Sequence, residues 1–289
     1  MTMELILKAP AKINLGLTII GRRDDGYHDL ESVMQQISLH DVLKISAYEN
    51  GGVSFYCSDK SLSGPDNLVV KAAELLLDRA GCDLPGVRIE LYKNIPVEAG
   101  LAGGSSDAAA AMFGLNRTLG LNLKLEELME LGALLGSDVP YCLQGGTALV
   151  RGRGEVLESL PGLPFFWVVL ALPAGIKIST AEAYRTFNCS KIGQPSMNAL
   201  IKAVKQGNRN EIWEWLSTDF TNTLETADLP ETRKALSLKN KLKELGLPAV
   251  YSGSGPTLFI LSRDYNLARN AVKAIEQLDA KAILCWTIN

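Results

Sequence analysis

The stretch Pro96-Val97-Glu98-Ala99-Gly100-Leu101-Ala102-Gly103-Gly104-Ser105-Ser106 carries the sharpest chemical signal in the chain. It follows an alternating run, Val87–Tyr92, that predicts a strand, and it leads into an alanine-rich segment, Asp107–Leu119, that predicts a helix. Unpaired amides at a helix N-terminus attract anions, and the helix dipole makes that end partly positive. Small residues let backbone come close to a phosphate. The hydroxyls of Ser105 and Ser106 suit a helix cap, a phosphate or a magnesium ion. A plain turn with a cap would not need so long a run of small residues before so regular a helix.

Three common nucleotide-binding patterns fail on particular residues. A Walker loop requires Gly-Lys-Ser/Thr, and this loop has no lysine. The dinucleotide fingerprint Gly-x-Gly-x-x-Gly is matched neither here nor at Gly253-x-Gly255. A protein-kinase catalytic loop needs His-Arg-Asp, and neither His28 nor His40 is followed by Arg-Asp.

The pattern Pro-x-x-x-Gly-Leu-x-Gly-Gly-Ser-Ser before an alanine-rich helix resembles the ATP loop of the GHMP kinases. Ala9-Pro10-Ala11-Lys12-Ile13-Asn14-Leu15 resembles that superfamily's N-terminal motif, and Ser252-Gly253-Ser254-Gly255-Pro256-Thr257 resembles its C-terminal glycine motif. The three occur in the family's order and span most of the chain. Arg23-x-Asp25-Gly26-Tyr27-His28-Asp29-Leu30 and Leu135-Gly136-Ser137-Asp138-Val139-Pro140 are similar to one branch of it. That branch uses ATP to phosphorylate the 2-hydroxyl of 4-(cytidine 5'-diphospho)-2-C-methyl-D-erythritol in the non-mevalonate (methylerythritol phosphate) isoprenoid pathway. The resemblance implies an α+β, two-lobed GHMP kinase fold. Its N-terminal ATP-binding lobe would be like ribosomal protein S5 domain 2, its C-terminal lobe ferredoxin-like, with the active site in the cleft between them.

The resemblance also implies roles. Lys12 and Asp138 would be the catalytic pair, residues 96–106 would hold ATP with Mg2+, and Asn14 would bind near the reacting hydroxyl. Tyr27 and His28 would contact cytosine, with Tyr184 closing the base's other face. Gly253, Ser254 and Gly255 would line the substrate site. The chemistry suits these types. A hydroxyl must lose its proton as it takes the phosphoryl group, and a carboxylate within hydrogen-bond reach accepts it. A carboxylate of ordinary pKa, about 3.9, suffices if the proton leaves late in a loose transition state. A lysine beside it keeps it ionised and stabilises charge on oxygen. Taken alone, Asp138 reads as a cap after Gly136 and Lys12 as a solvated strand residue. Ala99 and Ala102 require ordinary φ. Glu98 and Asp107 should point away from a triphosphate, Asp107 from the first turn of its helix.

The elements that must position these residues follow from periodicity. Glu4–Lys8, Ile13–Ile20, Val33–Leu39, Val42–Ala47 and Val53–Cys57 read as strands, and Asn67–Ala80 and Lys124–Leu135 as helices. Thr147–Arg151 and Val156–Leu160 predict a hairpin. Pro161-Gly162-Leu163-Pro164 is the best boundary, giving domains 1–160 and 161–289. Beyond it, Phe165–Leu172, Val250–Tyr251, Thr257–Leu261 and Ala282–Thr287 read as strands. Thr180–Phe187, Met197–Lys205, Arg209–Leu216, Pro230–Leu245 and Asn266–Leu278 read as helices. Mixed elements without strict alternation predict α+β.

Composition is permissive. The 289 residues are 47% hydrophobic and 21% charged, as in an ordinary globular protein. A net charge of −3 gives little field for nucleic acid, and no long apolar run predicts a membrane span. The expected location is cytoplasmic, as a monomer or homodimer. Cys57, Cys82, Cys142, Cys189 and Cys285 are odd in number and form no Cys-x-x-Cys pair, so reduced thiols are expected rather than disulfides or a zinc site. Two other classes compete: another GHMP small-molecule kinase, such as a homoserine or mevalonate kinase, and a nucleotide-binding regulator without catalysis. The first leaves Gly26-Tyr27-His28 unexplained; the second leaves Lys12 and Asp138 unexplained.

Overall fold

The computed structural model describes residues 4–48, 51–81, 85–218 and 220–289. Its elements, in order, are β1 (Glu4–Arg22), β2 (His28–Tyr48), β3 (Val53–Cys57), α1 (Leu68–Ala80), β4 (Gly86–Tyr92), α2 (Gly103–Thr118), α3 (Leu125–Leu135), α4 (Val139–Gln144), β5 (Thr147–Gly152) and β6 (Val156–Ser159). Then follow β7 (Trp167–Pro173), α5 (Thr180–Thr186), α6 (Asn198–Lys205), α7 (Arg209–Leu216), α8 (Pro230–Glu244), β8 (Val250–Tyr251), β9 (Leu258–Ser262), α9 (Tyr265–Glu276) and β10 (Ala280–Trp286).

Contacts divide the chain into two compact units. The first is Met1–Ala11, Leu39–Pro96 and Ala102–Gly145; the second is Lys12–Ser38, Val97–Leu101 and Gly146–Asn289. The division expected from sequence at 160/161 runs through the second unit, leaving Lys12–Ser38, Val97–Leu101 and residues 146–160 on its N-terminal side.

In the first unit, Val42–Tyr48 of β2 pairs antiparallel with β4, and β3 pairs parallel with β4. A parallel pair needs a crossover, and α1 supplies it. Asn67 caps α1 by accepting from the Val69 amide. The sheet's Leu43, Ile45, Val87, Ile89 and Leu91 pack with Val69, Ala72 and Leu76 of α1 and with Ala108, Ala111, Met112 and Leu115 of α2. Gly114 lets α2 lie close, since a Cβ there would fall 2.5 Å from both Ile45 and Leu7.

In the second unit, Leu30–Gln35 of β2 pairs with β5, and β5 with β6, which is the predicted hairpin. The other sheet has the order β10-β7-β9-β8, all antiparallel. Counted within that sheet the order is 4-1-3-2, with helices after its first and third strands. That is the ferredoxin-like arrangement expected of the C-terminal part. Val169, Ala171, Leu258 and Ile260 pack with Ala235, Leu238, Leu242, Ala268, Ala271 and Ile275.

Two pairs of predicted strands are single long strands. Glu4–Lys8 and Ile13–Ile20 merge because Pro10, whose fixed φ suits extended chain, does not interrupt β1. Val33–Leu39 and Val42–Ala47 likewise merge in β2. The short helix α4 had no sequence signal: six residues are too few to show a period. The four described cysteines form no disulfide with one another, Cys57 and Cys285 being buried and Cys189 exposed; Cys82 lies outside the described residues. Among the described residues no helix is long and apolar enough to cross a membrane.

Candidate active site

Within the second unit, Lys12 and Asn14 of the first motif, Gly100 and Leu101 of the second and Ser252 and Gly253 of the third come together. Residues 11–19 of β1 are buried throughout, which places Lys12 and Asn14 inside the protein at 4% and 0% exposure. The reading of Lys12 as a solvated strand residue is therefore wrong. Its Nζ donates to Asn14 Oδ1 at 2.6 Å and to Gly100 O at 3.3 Å. The Lys12 backbone amide donates to Leu101 O at 3.1 Å, so the glycine loop is fastened to the strand that carries the lysine. Ser252 Oγ also donates to Gly100 O, at 3.3 Å, and accepts from the Asn14 amide at 3.4 Å.

Glycine is required twice at this junction. Gly100 has φ +73°, and a Cβ there would sit 2.5 Å from the backbone oxygen of Ser252. Gly253 has φ +57°, and its Cβ would lie 3.0 Å from Gly100 O and 3.2 Å from Lys12 Nζ. Asn222, absent from the sequence reading, holds the Gly253 loop from behind. Its side-chain amide donates to Tyr251 O at 3.0 Å and to Gly253 O at 2.8 Å. Tyr251 Oη donates to Ser254 O at 3.0 Å, and the Ser254 hydroxyl lies 2.9 Å from that of Thr180.

Where the loop enters the first unit, four expectations need correction. Helix α2 starts at Gly103, four residues before Asp107. Its N-cap is Ala102, at φ +55° and ψ +31°, so alanine here does adopt the left-handed region. The chain must reverse between Leu101, whose carbonyl is paired to β1, and the first helical residue. One left-handed residue does this at a cost of about 1–2 kcal/mol. Neither serine caps: Ser106 Oγ instead donates to Pro10 O at 2.7 Å. The earlier start moves Asp107 out of the first turn. Its carboxylate is buried and accepts from Lys93 Nζ at 2.6 Å, while Lys93 also donates to Asp41 at 2.5 Å. Burial outweighs the pull of Lys93, which Asp41 shares, and pushes the Asp107 carboxyl up to about 7. Glu98 is exposed as expected, 3.5 Å from Lys177, and also takes a positive φ of +55°.

Asp138 occupies the N-cap of α4 with its side chain making no cap bond, so the simple capping reading does not account for it. Helices α3 and α4 meet closely at Gly132, where a Cβ would lie 2.8 Å from Val139. Tyr141 is fully buried; burial chiefly, then the neighbouring Cys142 and Asp138 charges, drive its hydroxyl well above the usual range.

The aromatic residues cluster in the second unit. The His28 ring stacks on Tyr184 with centroids 5.7 Å apart and an interplanar angle of 28°, and meets Phe187 edge-on at 5.2 Å. Burial, and next the charge of Arg22, lower the His28 pKa and favour neutral imidazole, which offers one donor and one acceptor. Tyr27 is half exposed, with the Arg153 guanidinium 4.9 Å over its ring. Its amide donates to Asp25 in the turn before it.

Sequence reasoning missed Ser252 as an active contact, along with Asn222, Lys93 and Asp41. Ser252 lies inside a recognised motif and could have been found; the others are single polar residues whose importance comes from tertiary contacts.

This architecture defines a small-molecule kinase of the GHMP class. Residues 67–146 match the family described as GHMP kinases N terminal domain. A homoserine kinase structure from Cytophaga hutchinsonii, 17% identical, superposes with a TM-score of 0.74 over 99% of this chain and 94% of its own, which is agreement of fold. A crystal structure of 4-(cytidine 5'-diphospho)-2C-methyl-D-erythritol kinase is 33% identical, with a TM-score of 0.82 over 99% of this chain and all of its own. The 4-diphosphocytidyl-2-C-methyl-D-erythritol kinase of Bacillus pumilus is 45% identical over 261 residues, 89% of this chain and 88% of its own. The chain belongs to the 4-diphosphocytidyl-2-C-methyl-D-erythritol kinase family of the GHMP kinases.

Proposed function

We propose that this enzyme transfers the γ-phosphoryl group of ATP to the 2-hydroxyl of 4-(cytidine 5'-diphospho)-2-C-methyl-D-erythritol, giving the 2-phosphate and ADP, in the non-mevalonate isoprenoid pathway. The carrying observation is that Lys12 Nζ and Ser252 Oγ, from the first and third motifs, both donate to the Gly100 carbonyl of the second, each at 3.3 Å. In the proposed reaction the acceptor oxygen bonds to the γ-phosphorus and the bond from that phosphorus to the β–γ bridging oxygen breaks. The hydroxyl proton passes to the Asp138 carboxylate. Lys12 supplies positive charge to the reacting oxygens, and its bond to Asn14 fixes the direction of the ammonium. Residues 96–106 hold the triphosphate through loop and helix amides.

Magnesium would arrive with ATP and neutralise phosphate charge. The donor set fits an ion held mainly by the nucleotide. Among the described residues no group of three His, Cys, Asp or Glu could cage a metal. Ser106, whose hydroxyl donates a hydrogen bond to Pro10 O, keeps lone pairs that a cation could take. Tyr27, His28 and Tyr184 supply aromatic faces and a neutral imidazole for a pyrimidine. The nucleotide-linked acceptor accounts for these residues better than a small alcohol such as homoserine or mevalonate does. An ADP-release assay across acceptors tests this. Turnover should require the cytidine-diphosphate group, and comparable turnover of mevalonate or homoserine would refute the proposal.

A further inference from the structure

The buried trio Asp41, Lys93 and Asp107 lies within the first unit and is not used by the chemistry above. We infer that Lys93 is a positioning residue for the phosphate loop, clasping the end of β4 to the start of α2 so that the helix amides face ATP at a fixed distance. The inference rests on the reading that this loop binds the triphosphate.

Asp41, fully buried on β2, accepts from the backbone amides of Asn94 and Ile95 and from Lys93 Nζ. That anchors the chain just before the loop. Lys93 Nζ reaches on to Asp107 in α2, just after the loop. A Cβ on Gly103 would lie 3.3 Å from Lys93 Nζ, so the ammonium rests against the first helical residue. Both ends of the span Pro96–Ala102 are thus tied to one side chain. The Lys93 backbone amide is itself held by Ser58 Oγ at 2.9 Å, and the buried Cys57 thiol lies near enough to feel the charges of Lys93 and Asp107.

Stability alone does not explain the trio. An ammonium beside a helix N-terminus opposes the dipole. Burying one cation with two carboxylates is costly, and apolar residues in their place often do as well. Asp107 Oδ1 is buried without a hydrogen-bond partner, a further cost. What the trio provides is geometry: a fixed distance between two backbone segments that must present amides to the same anion. A shift of about 1 Å in such a site can cost about a hundredfold in rate.

The test measures KM for ATP and for the acceptor, with kcat, in Lys93→Met, Lys93→Arg, Asp107→Asn and Gly104→Val. At Gly104 a new Cβ would meet only Leu68, at 3.6 Å, so valine there obstructs a ligand more than the fold. Lys93→Met should raise the ATP KM about tenfold or more and leave the acceptor KM within about twofold, with Lys93→Arg restoring most of the loss. Should Lys93→Met not fold, Asp107→Asn decides: it takes the charge from one arm and leaves Lys93 paired to Asp41, and should raise the ATP KM several-fold. Unchanged ATP KM in these folded variants, with Gly104→Val still raising it, overturns the clasp and spares the loop. If Gly104→Val also leaves the ATP KM unchanged, the loop reading falls and takes the clasp with it.

Discussion

Lys12 and Asn14 stand two residues apart on β1, on one face of the strand, and the lysine ammonium donates to the asparagine amide oxygen at 2.6 Å in a buried site. The amide passes the contact on: Asn14 Nδ2 donates to Ser32 Oγ at 2.7 Å, and Ser32 Oγ to Gly16 O at 2.7 Å. A relay of this kind fixes the orientation of a cation without neutralising it, which is what a charge-stabilising lysine needs. Lys12→Met should lower kcat by about 10²–10³, the loss typical of removing one preorganised charge donor. Asn14→Leu should lower kcat by about tenfold or more with little effect on the ATP KM. Steady-state kinetics on folded variants check both, and a wild-type kcat in Lys12→Met would remove it from the mechanism.

Asp138→Asn keeps the size of the side chain and removes its basicity. Single-turnover rates should fall by about 10²–10⁴, the range for loss of a general base, with ATP affinity preserved. A rate within a few-fold of wild type would mean that the proton leaves by another route.

Two glycines of positive φ separate conformational strain from close approach. Gly26 has φ +86° with nothing near a would-be Cβ, whereas Gly100 has φ +73° and the Ser252 carbonyl 2.5 Å from its Cβ position. Gly26→Ala should cost only the left-handed conformation, about 1–2 kcal/mol. Gly100→Ala should add an overpacking cost of about 1–3 kcal/mol. Urea unfolding of the pair measures the difference; equal losses would show that Gly100 does not approach Ser252 as closely as described.

Asp107 gives stability a pH dependence whose sign is set by burial. Its folded carboxyl is pushed up to about 7 from an ordinary 3.8. Between these values the folded protein holds a proton that the unfolded chain has lost, so this group makes stability fall as pH rises from about 4 to about 7. Lys93 is raised above an already high value and stays charged across that window. Asp107→Asn removes the titration. Its stability relative to wild type should therefore increase between pH 5 and pH 8 in chemical denaturation. A difference independent of pH would show that Asp107 stays ionised throughout.

The parts of this site that were legible in sequence are those built from local rules. Glycine and serine before an alanine run announced the loop and α2, and Asp25-Gly26 announced the turn into Tyr27-His28. What stayed hidden depends on contacts between distant segments. Helix α2 begins at Gly103 because Leu101 is already paired to Lys12 and the chain reverses at Ala102, a conformation that alanine does not advertise. Asn222 lies some thirty positions before the loop it supports, and Lys93 is an unremarkable strand-end lysine until Asp41 and Asp107 are brought to it. Buried polar partners carry no periodicity, so the pattern that reveals a helix face says nothing about them.

The most direct test of the proposed reaction is the position of the transferred phosphate. Carbon 2 of the acceptor bears the methyl branch and no hydrogen, so a phosphate on its oxygen has no P–O–C–H path for three-bond coupling. After incubation of the protein with ATP, magnesium and the cytidine-diphosphate-linked methylerythritol, 31P NMR should show ADP and one new monoester signal that stays a singlet without proton decoupling. A monoester signal split by a carbinol proton, or no ADP beyond the enzyme-free control, would contradict the account.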